Sequence, residues 1–157
     1  MFLFRNPTAR QLNLALAALR ITVGTIFIAH GAQKLFTFGF AGVTGAFGHM
    51  GIPFPGVMGP FIALLEFIGG IAILLGLLTR LASLGMVFNM LGAIVFVHFK
   101  GGFFLPAGAE YAFALLGSSL ALVFAGAGQF SIDAVLDRTV KTAAKIDARR
   151  GTTLRAA

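Results

Sequence analysis

The chain has 157 residues, 58% of them hydrophobic and only 11% charged, with a mean hydropathy of +0.94. A soluble domain carries about 25% charged residues, so this deficit excludes an ordinary soluble fold and points to a protein built for the bilayer. The net charge of +7 flanks apolar blocks instead of forming one stripe, which excludes nucleic acid as the main partner, and the lack of cysteine excludes dithiol chemistry, thiolate-bound metals and disulfides.

The first apolar block runs from about Leu14 to Phe36. It is longer than a signal-peptide core, lacks a small-x-small cleavage flank and precedes three more apolar blocks, so it is expected to be a retained span. The connection over residues 37–57 has glycines at 39, 42, 45, 48 and 51, but no proline fills the triplets of a collagen-like repeat. Phe40, Val43, Phe47 and Met50 recur at helical spacing and predict a short amphipathic helix on the outer leaflet. Gly51, Ile52, Pro53, Phe54 and Pro55 break that helix. Further blocks follow at about Met58–Leu78, Leu81–Phe99 and Ala109–Ala127, the middle two separated by Thr79 and Arg80. At about 20 residues per span, the pattern predicts an all-α integral membrane protein, a four-transmembrane-helix bundle with antiparallel neighbours. The tail over residues 128–157 mixes Asp133, Asp137 and Asp147 with six basic residues. Its Ile132, Val135, Leu136 and Val140 predict a surface helix against anionic lipid, with frayed last residues.

Lysine and arginine set the expected orientation. Arg5, Arg10, Arg20, Arg80, Arg138, Lys141, Lys145, Arg149, Arg150 and Arg155 fall on one side, and only Lys34 and Lys100 on the other. Ten against two places both termini in the cytoplasm, with loops 37–57 and 100–108 outside.

Ionisable groups inside spans cost a few kcal/mol each on insertion scales, so each needs a partner or a job. At about 100° per residue, Arg20, His30 and Lys34 share one sector of the first helix, beside Gly24 and Gly31. Glu66 shares its face with Gly69 and Gly70, and Glu110 lines up with Ala114, Gly117 and Ala121. Small residues let a neighbouring helix approach, so these are expected seam positions. By depth, His30, Lys34, Glu66, His98, Lys100 and Glu110 fall in the outer half, where they can neutralise one another, while Arg20 sits apart near the cytoplasmic face. Asn89 lies on a face with Gly85, Gly92 and Phe96, about 180° from His98 if that helix stays regular, so the two are not assigned to one site.

Each of these has a plainer reading. Lys34 and Lys100 near helix ends can snorkel to the headgroups. Arg20 is either a cytoplasmic anchor or a counter-ion. Glu110 suits the positive N-terminus of its helix. His30 and His98 read as hydrogen-bonded interfacial histidines more readily than as haem ligands, because no further haem signature is present. Phe36, Phe38, Phe40, Phe103 and Phe104 form either an aromatic belt or an apolar slot for a flat ring. Glu66, about two turns inside its helix, has no such plain account. No phosphate-binding loop or dinucleotide fingerprint occurs, and no cofactor or metal signature is evident.

Together these residues resemble the DoxX family of small four-helix bacterial membrane proteins. The resemblance covers about Leu14 to Leu136 and rests on an ordered set. It comprises Leu19, Arg20 and Gly24; the run from His30 to Phe36; Gly51, Ile52, Pro53 and Pro55; and Glu66, Gly69 and Gly70. It continues through Gly76, Leu77, Thr79 and Arg80, then His98, Gly102, Phe103 and Phe104, then Glu110 and Tyr111, and finally Ser131, Ile132 and Asp133. The family is similar to the membrane subunit of thiosulfate:quinone oxidoreductase, and its members are described as oxidoreductases or as partners of oxidative-stress enzymes. The resemblance therefore implies a bacterial inner-membrane protein in contact with quinone and with a soluble or membrane-bound redox subunit. Carried onto this chain, it puts His30, Lys34 and Glu66 at the centre as catalytic candidates. His98, Glu110, Phe36, Phe103 and Phe104 are the ligand-binding candidates. The rival expectations are a non-catalytic anchor for soluble redox enzymes and a small transporter, the latter drawing its path from a homo-oligomer.

Overall fold

The computed structural model describes residues 6–155, with side chains described through residue 142 and at residue 144. Arg5 and the frayed tip expected at the end of the tail lie outside the described residues, as do the side chains of Lys145, Arg149, Arg150 and Arg155.

Helix α1 covers Ala9–Ala32 and begins five residues before the apolar block, because Thr8 and Gln11 form a capping box. Thr8 Oγ1 accepts from the Gln11 N–H at 3.3 Å, and Gln11 Oε1 accepts from the Thr8 N–H at 2.8 Å. The helix then widens into a π turn over Gln33–Phe38, and Gly39 with φ +64° starts α2, Gly39–His49. Phe54 in the left-handed region and Pro55 at the first turn open α3, Pro55–Leu75. That helix stops short of Leu78, because Gly76 with φ +70° closes it: the Leu77 N–H donates back to Ala72 O at 2.8 Å. Helix α4 covers Thr79–Gly92 and passes into a π turn, Ala93–His98, and a 3-10 turn, Phe99–Gly101. Helix α5 is Glu110–Ala125, and α6 is Ile132–Arg155.

The described residues are thus all-helical. Three stretches are long and apolar enough to cross a bilayer: Ala9–His49, Pro55–Leu75 and Thr79–Gly101. Helix α5 is equally apolar but has 16 residues, about 24 Å at 1.5 Å per residue. Helices α1, α3, α4 and α5 close a ring in which each packs on the next in sequence and α5 returns to α1. Leu16, Val23 and Phe27 of α1 meet Ile73, Met86, Met90, Ala112, Leu115 and Leu122 in the core.

The α1–α3 seam is the closest one. A Cβ on Gly24 would lie 2.8 Å from Leu74 N, and one on Gly70 would lie 2.8 Å from Ile28 N. Only glycine permits this backbone approach, as the small-residue face on each helix leads one to expect. Helix α2 packs on α3, with Val43 buried and the Thr44 backbone beside Gly59. Ile132, Val135, Leu136 and Val140 of α6 are exposed, with Val140 at 67%.

Candidate functional site

The seam sets the site. Because α1 and α3 touch through glycine, Lys34 in the first π turn reaches across to α3, where its Nζ pairs with Glu66 Oε2. The second carboxylate oxygen, Oε1, accepts from Asn89 Nδ2 of α4 at 2.9 Å. Glu66 is only 4% exposed. A carboxylate at that depth needs a cation and a hydrogen bond to persist, and it has both.

These groups line an open-sided cavity of about 760 Å³ between α1, α2, α3, α4 and α5. His30, Lys34, Glu66, Asn89, His98 and Tyr111 provide its polar wall. Phe27, Phe47, Phe54, Phe61, Phe88 and Phe96 provide aromatic faces, with Leu65, Met58 and Met90 between them. His30 lies beside Tyr111, their ring centroids 6.2 Å apart. His98 Nδ1 is 3.1 Å from Ala107 O, which ties the end of the second π turn to the loop before α5.

Both π turns border this cavity, one carrying Lys34 and the other Phe96, Val97 and His98. A π turn winds less per residue than an α turn. That unwinding rotates His98 back toward the face of Asn89, so the two line one cavity despite their opposition on a regular helix. Single-turn π segments interrupting α-helices occur frequently at functional sites.

The remaining sequence candidates lie elsewhere. Glu110 Oε1 accepts from the Leu105 N–H at 2.8 Å and so pins the 102–109 loop to the start of α5, away from the cavity wall. Phe36 packs edge-on against Phe67, and Phe103 packs against Phe104 and Phe113; none of the three lines the cavity. Phe36 and Phe104 are each 75% exposed. Lys100 is exposed. The aromatic wall therefore comes from rings that depth alone does not single out, because facing the cavity depends on rotation about each helix axis.

At the other end of the bundle Arg20 is buried, with Nη2 donating to Phe130 O and Nη1 3.5 Å from Leu74 O. A cation here suits the negative C-terminal end of α3. Asp133 completes that end: its carboxylate accepts from Leu78 N–H at 2.7 Å and from Thr79 N–H at 3.0 Å, capping α4. Arg20 is thus a structural clasp, and Thr79, Arg80 and Asp133 surround the turns it closes.

A family model described as DoxX matches residues 15–99, and one described as "TQO small subunit DoxD" matches residues 58–150. "Putative oxidoreductase CatD" of Bacillus subtilis is 34% identical over 115 residues, covering 73% of this chain and 81% of that protein. "Inner membrane protein YqjF" of Escherichia coli is 36% identical over 125 residues, covering 76% and 89%. A membrane protein of Mycobacterium tuberculosis is 30% identical over 131 residues, covering 76% and 80%. No solved structure matches the chain. With a matched family model over more than half its length and relatives aligned across most of theirs, this membrane protein belongs to the DoxX family.

Proposed function

We propose that the protein is the quinone-interacting subunit of a membrane oxidoreductase, with the head group seated against Lys34, Glu66 and Asn89. The observation that carries this reading is the buried carboxylate of Glu66, held by Lys34 and Asn89 in the wall of a largely apolar cavity. A flat head group needs an apolar slot with a few convergent polar groups, and sites of roughly 300–1,000 Å³ are usual for small ligands. The donor set fits, since ring carbonyls accept hydrogen bonds and Lys34 Nζ, Asn89 Nδ2 and the Tyr111 hydroxyl can donate them.

A bound quinone would supply two-electron, two-proton redox chemistry, with electrons delivered by a partner redox subunit. In this chain Lys34 and Asn89 orient the head group, and Glu66 holds and relays a proton at its carboxylate. His30 and His98, on the same wall, provide further proton acceptors. The phenylalanines exclude water around them.

This reading includes four spans, with α5 as the short fourth one, α2 at the outer interface and residues 128–157 as a cytoplasmic basic tail. It places the protein in the bacterial inner membrane with both termini cytoplasmic, on the lysine and arginine asymmetry. A second reading, an anchor for soluble redox enzymes, draws on α6, whose apolar Val135, Leu136 and Val140 are exposed beyond the bundle. Extraction in mild detergent and analysis of the co-purifying lipid-soluble material tests the choice. Quinone retained by the native protein and lost on Glu66→Gln supports the first reading; its absence from the native protein favours the anchor.

A further inference from the structure

Glu66 has different surroundings toward the two ends of the bundle. Toward the end that carries α2, polar groups continue from it along the cavity wall. Beyond its partner Lys34, the His30 ring lies 6.2 Å from that of Tyr111, the exposed second residue of α5. His98 ends the second π turn, and its ring nitrogen is 3.1 Å from Ala107 O in the loop before α5. The wall therefore runs from a carboxylate about 17 Å inside α3, counted from Pro55 at 1.5 Å per residue, out to the loops.

Toward the end that carries α6 the packing is dry. Val23 and Phe27 of α1, Ile73 of α3, Met86 of α4 and Leu122 of α5 are each 0–1% exposed and belong to one core cluster, so all four helices contribute to this layer. The seams beside it are closed as well. Gly24 meets Gly70 between α1 and α3, and a Cβ on Gly69 would lie 2.7 Å from Met86 Cε between α3 and α4. Further along, Thr79, Ser83 and Ser119 carry hydroxyls able to pass protons, but all three residues are 0% exposed and their oxygens have no hydrogen-bond partner among the described residues. A buried water needs its own volume and two to four polar partners. Residues without accessible surface border no such space. Arg20, the buried charge at this end, is turned into its clasp with Leu74 O and Phe130 O.

We infer that Glu66 exchanges protons with one compartment only, the one at the α2 end, and that the packed α6 end isolates it from the other. The polar wall with His30, Tyr111 and His98 is the open side, and the layer of Val23, Phe27, Ile73, Met86 and Leu122 is the seal. This goes beyond the quinone reading and holds for any ligand of the cavity. For a quinone, with both termini cytoplasmic, it means that protons taken up or released at the head group are exchanged with the outside and not with the cytoplasm.

The chain has no cysteine, so single introduced cysteines report access without background. A thiol reacts as its thiolate, which forms only where a proton can leave. Ala93→Cys and Ala112→Cys put the reporter on residues that line the cavity, and Ser83→Cys and Ser119→Cys put it in the dry half. Each full-length variant, in right-side-out and in inverted membrane vesicles, is treated with a charged, membrane-impermeant methanethiosulfonate. The cavity cysteines should react at least tenfold faster from the side opposite the C-terminal tail than from the side of the tail. Ser83→Cys and Ser119→Cys should stay unreacted from both sides until SDS unfolds the chain. With permeant N-ethylmaleimide and the pH set separately on the two sides, the cavity-cysteine rate should rise at least threefold per pH unit on the side opposite the tail and change less than twofold with pH on the other. Two variants of each kind keep the test valid if one fails to fold. Cavity cysteines that react from the side of the tail or from neither side, rates that follow the pH on the side of the tail, or reaction of the folded Ser83→Cys or Ser119→Cys protein overturn the inference. None of these readouts uses quinone, so the failure of the quinone reading in its own test is separate from the failure of this one.

Discussion

Gly24 and Gly70 face each other across the α1–α3 seam so closely that a Cβ on Gly24 would lie 2.9 Å from Gly70 O, and one on Gly70 would lie 3.0 Å from Gly24 O. This approach is what lets the Lys34 side chain, ten residues further along the chain in the π turn that follows α1, reach a carboxylate on α3. Seam and ion pair are therefore one device: the glycines set the spacing that the charges require.

Gly70→Val should push α1 and α3 apart, since the added atoms meet backbone rather than a yielding side chain. Overpacking of this kind costs about 1–3 kcal/mol. Gly117→Ala is the control, because nothing lies within 4 Å of a Cβ there; it should be neutral or stabilising by up to about 1 kcal/mol. Thermal unfolding in detergent checks both, and similar losses in the two variants would count against the seam.

Lys34→Met leaves Glu66 buried with Asn89 as its remaining partner. Breaking a buried pair from one side costs about 3–5 kcal/mol, whereas removing both charges together is far milder. The double variant Lys34→Met/Glu66→Gln should accordingly be more stable than Lys34→Met alone. A double-mutant cycle measures the coupling; strictly additive losses would mean that the pair contributes nothing as a pair.

Asp133 holds the first turn of α4 through two N–H groups, Leu78 and Thr79. Asp133→Ala should destabilise by about 1–2 kcal/mol, while Asp133→Asn, which keeps a capping oxygen, should lose less. Melting temperatures of the two variants give the comparison, and an unchanged Asp133→Ala protein would rule out the cap.

Much of this arrangement is legible in the sequence, and the parts that are not have identifiable causes. Helical spacing already sets His30 and Lys34 beside Gly24 and Gly31, and Glu66 beside Gly69 and Gly70. Cost then argues that the intramembrane acid and base should meet. Asn89 is visible as a polar residue in an apolar helix, but a uniform 100° per residue turns it away from His98. The π turn at Ala93–His98, which no residue announces, reverses that conclusion. Phe36, Phe103, Phe104 and Glu110 are not among the residues that line the cavity, Phe103 and Phe104 because they sit in the loop before α5 and Glu110 because it bonds locally to the Leu105 N–H. The start of α1 was within reach, since Thr8 followed three residues later by Gln11 is a capping-box pattern.

Both termini are expected in the cytoplasm, on the ten-to-two distribution of lysine and arginine. Reporter fusions after Ala157 and within the Gly48 region should give opposite compartment signals, cytoplasmic for the first and external for the second. A reversed result would move the Lys34–Glu66 pair to the inner half of the membrane.

The central claim is that Glu66, Lys34 and Asn89 form a head-group site and not merely a structural ion pair. Equilibrium binding of a ubiquinone to the purified protein in nanodiscs, compared among the native chain, Glu66→Gln and Lys34→Met at a temperature where all are folded, tests it most directly. The account predicts saturable binding to the native chain, weakened at least tenfold in each variant, a factor of ten being about 1.4 kcal/mol. Unchanged binding in variants that have lost thermal stability would contradict it and leave the cluster as a structural clasp of the bundle.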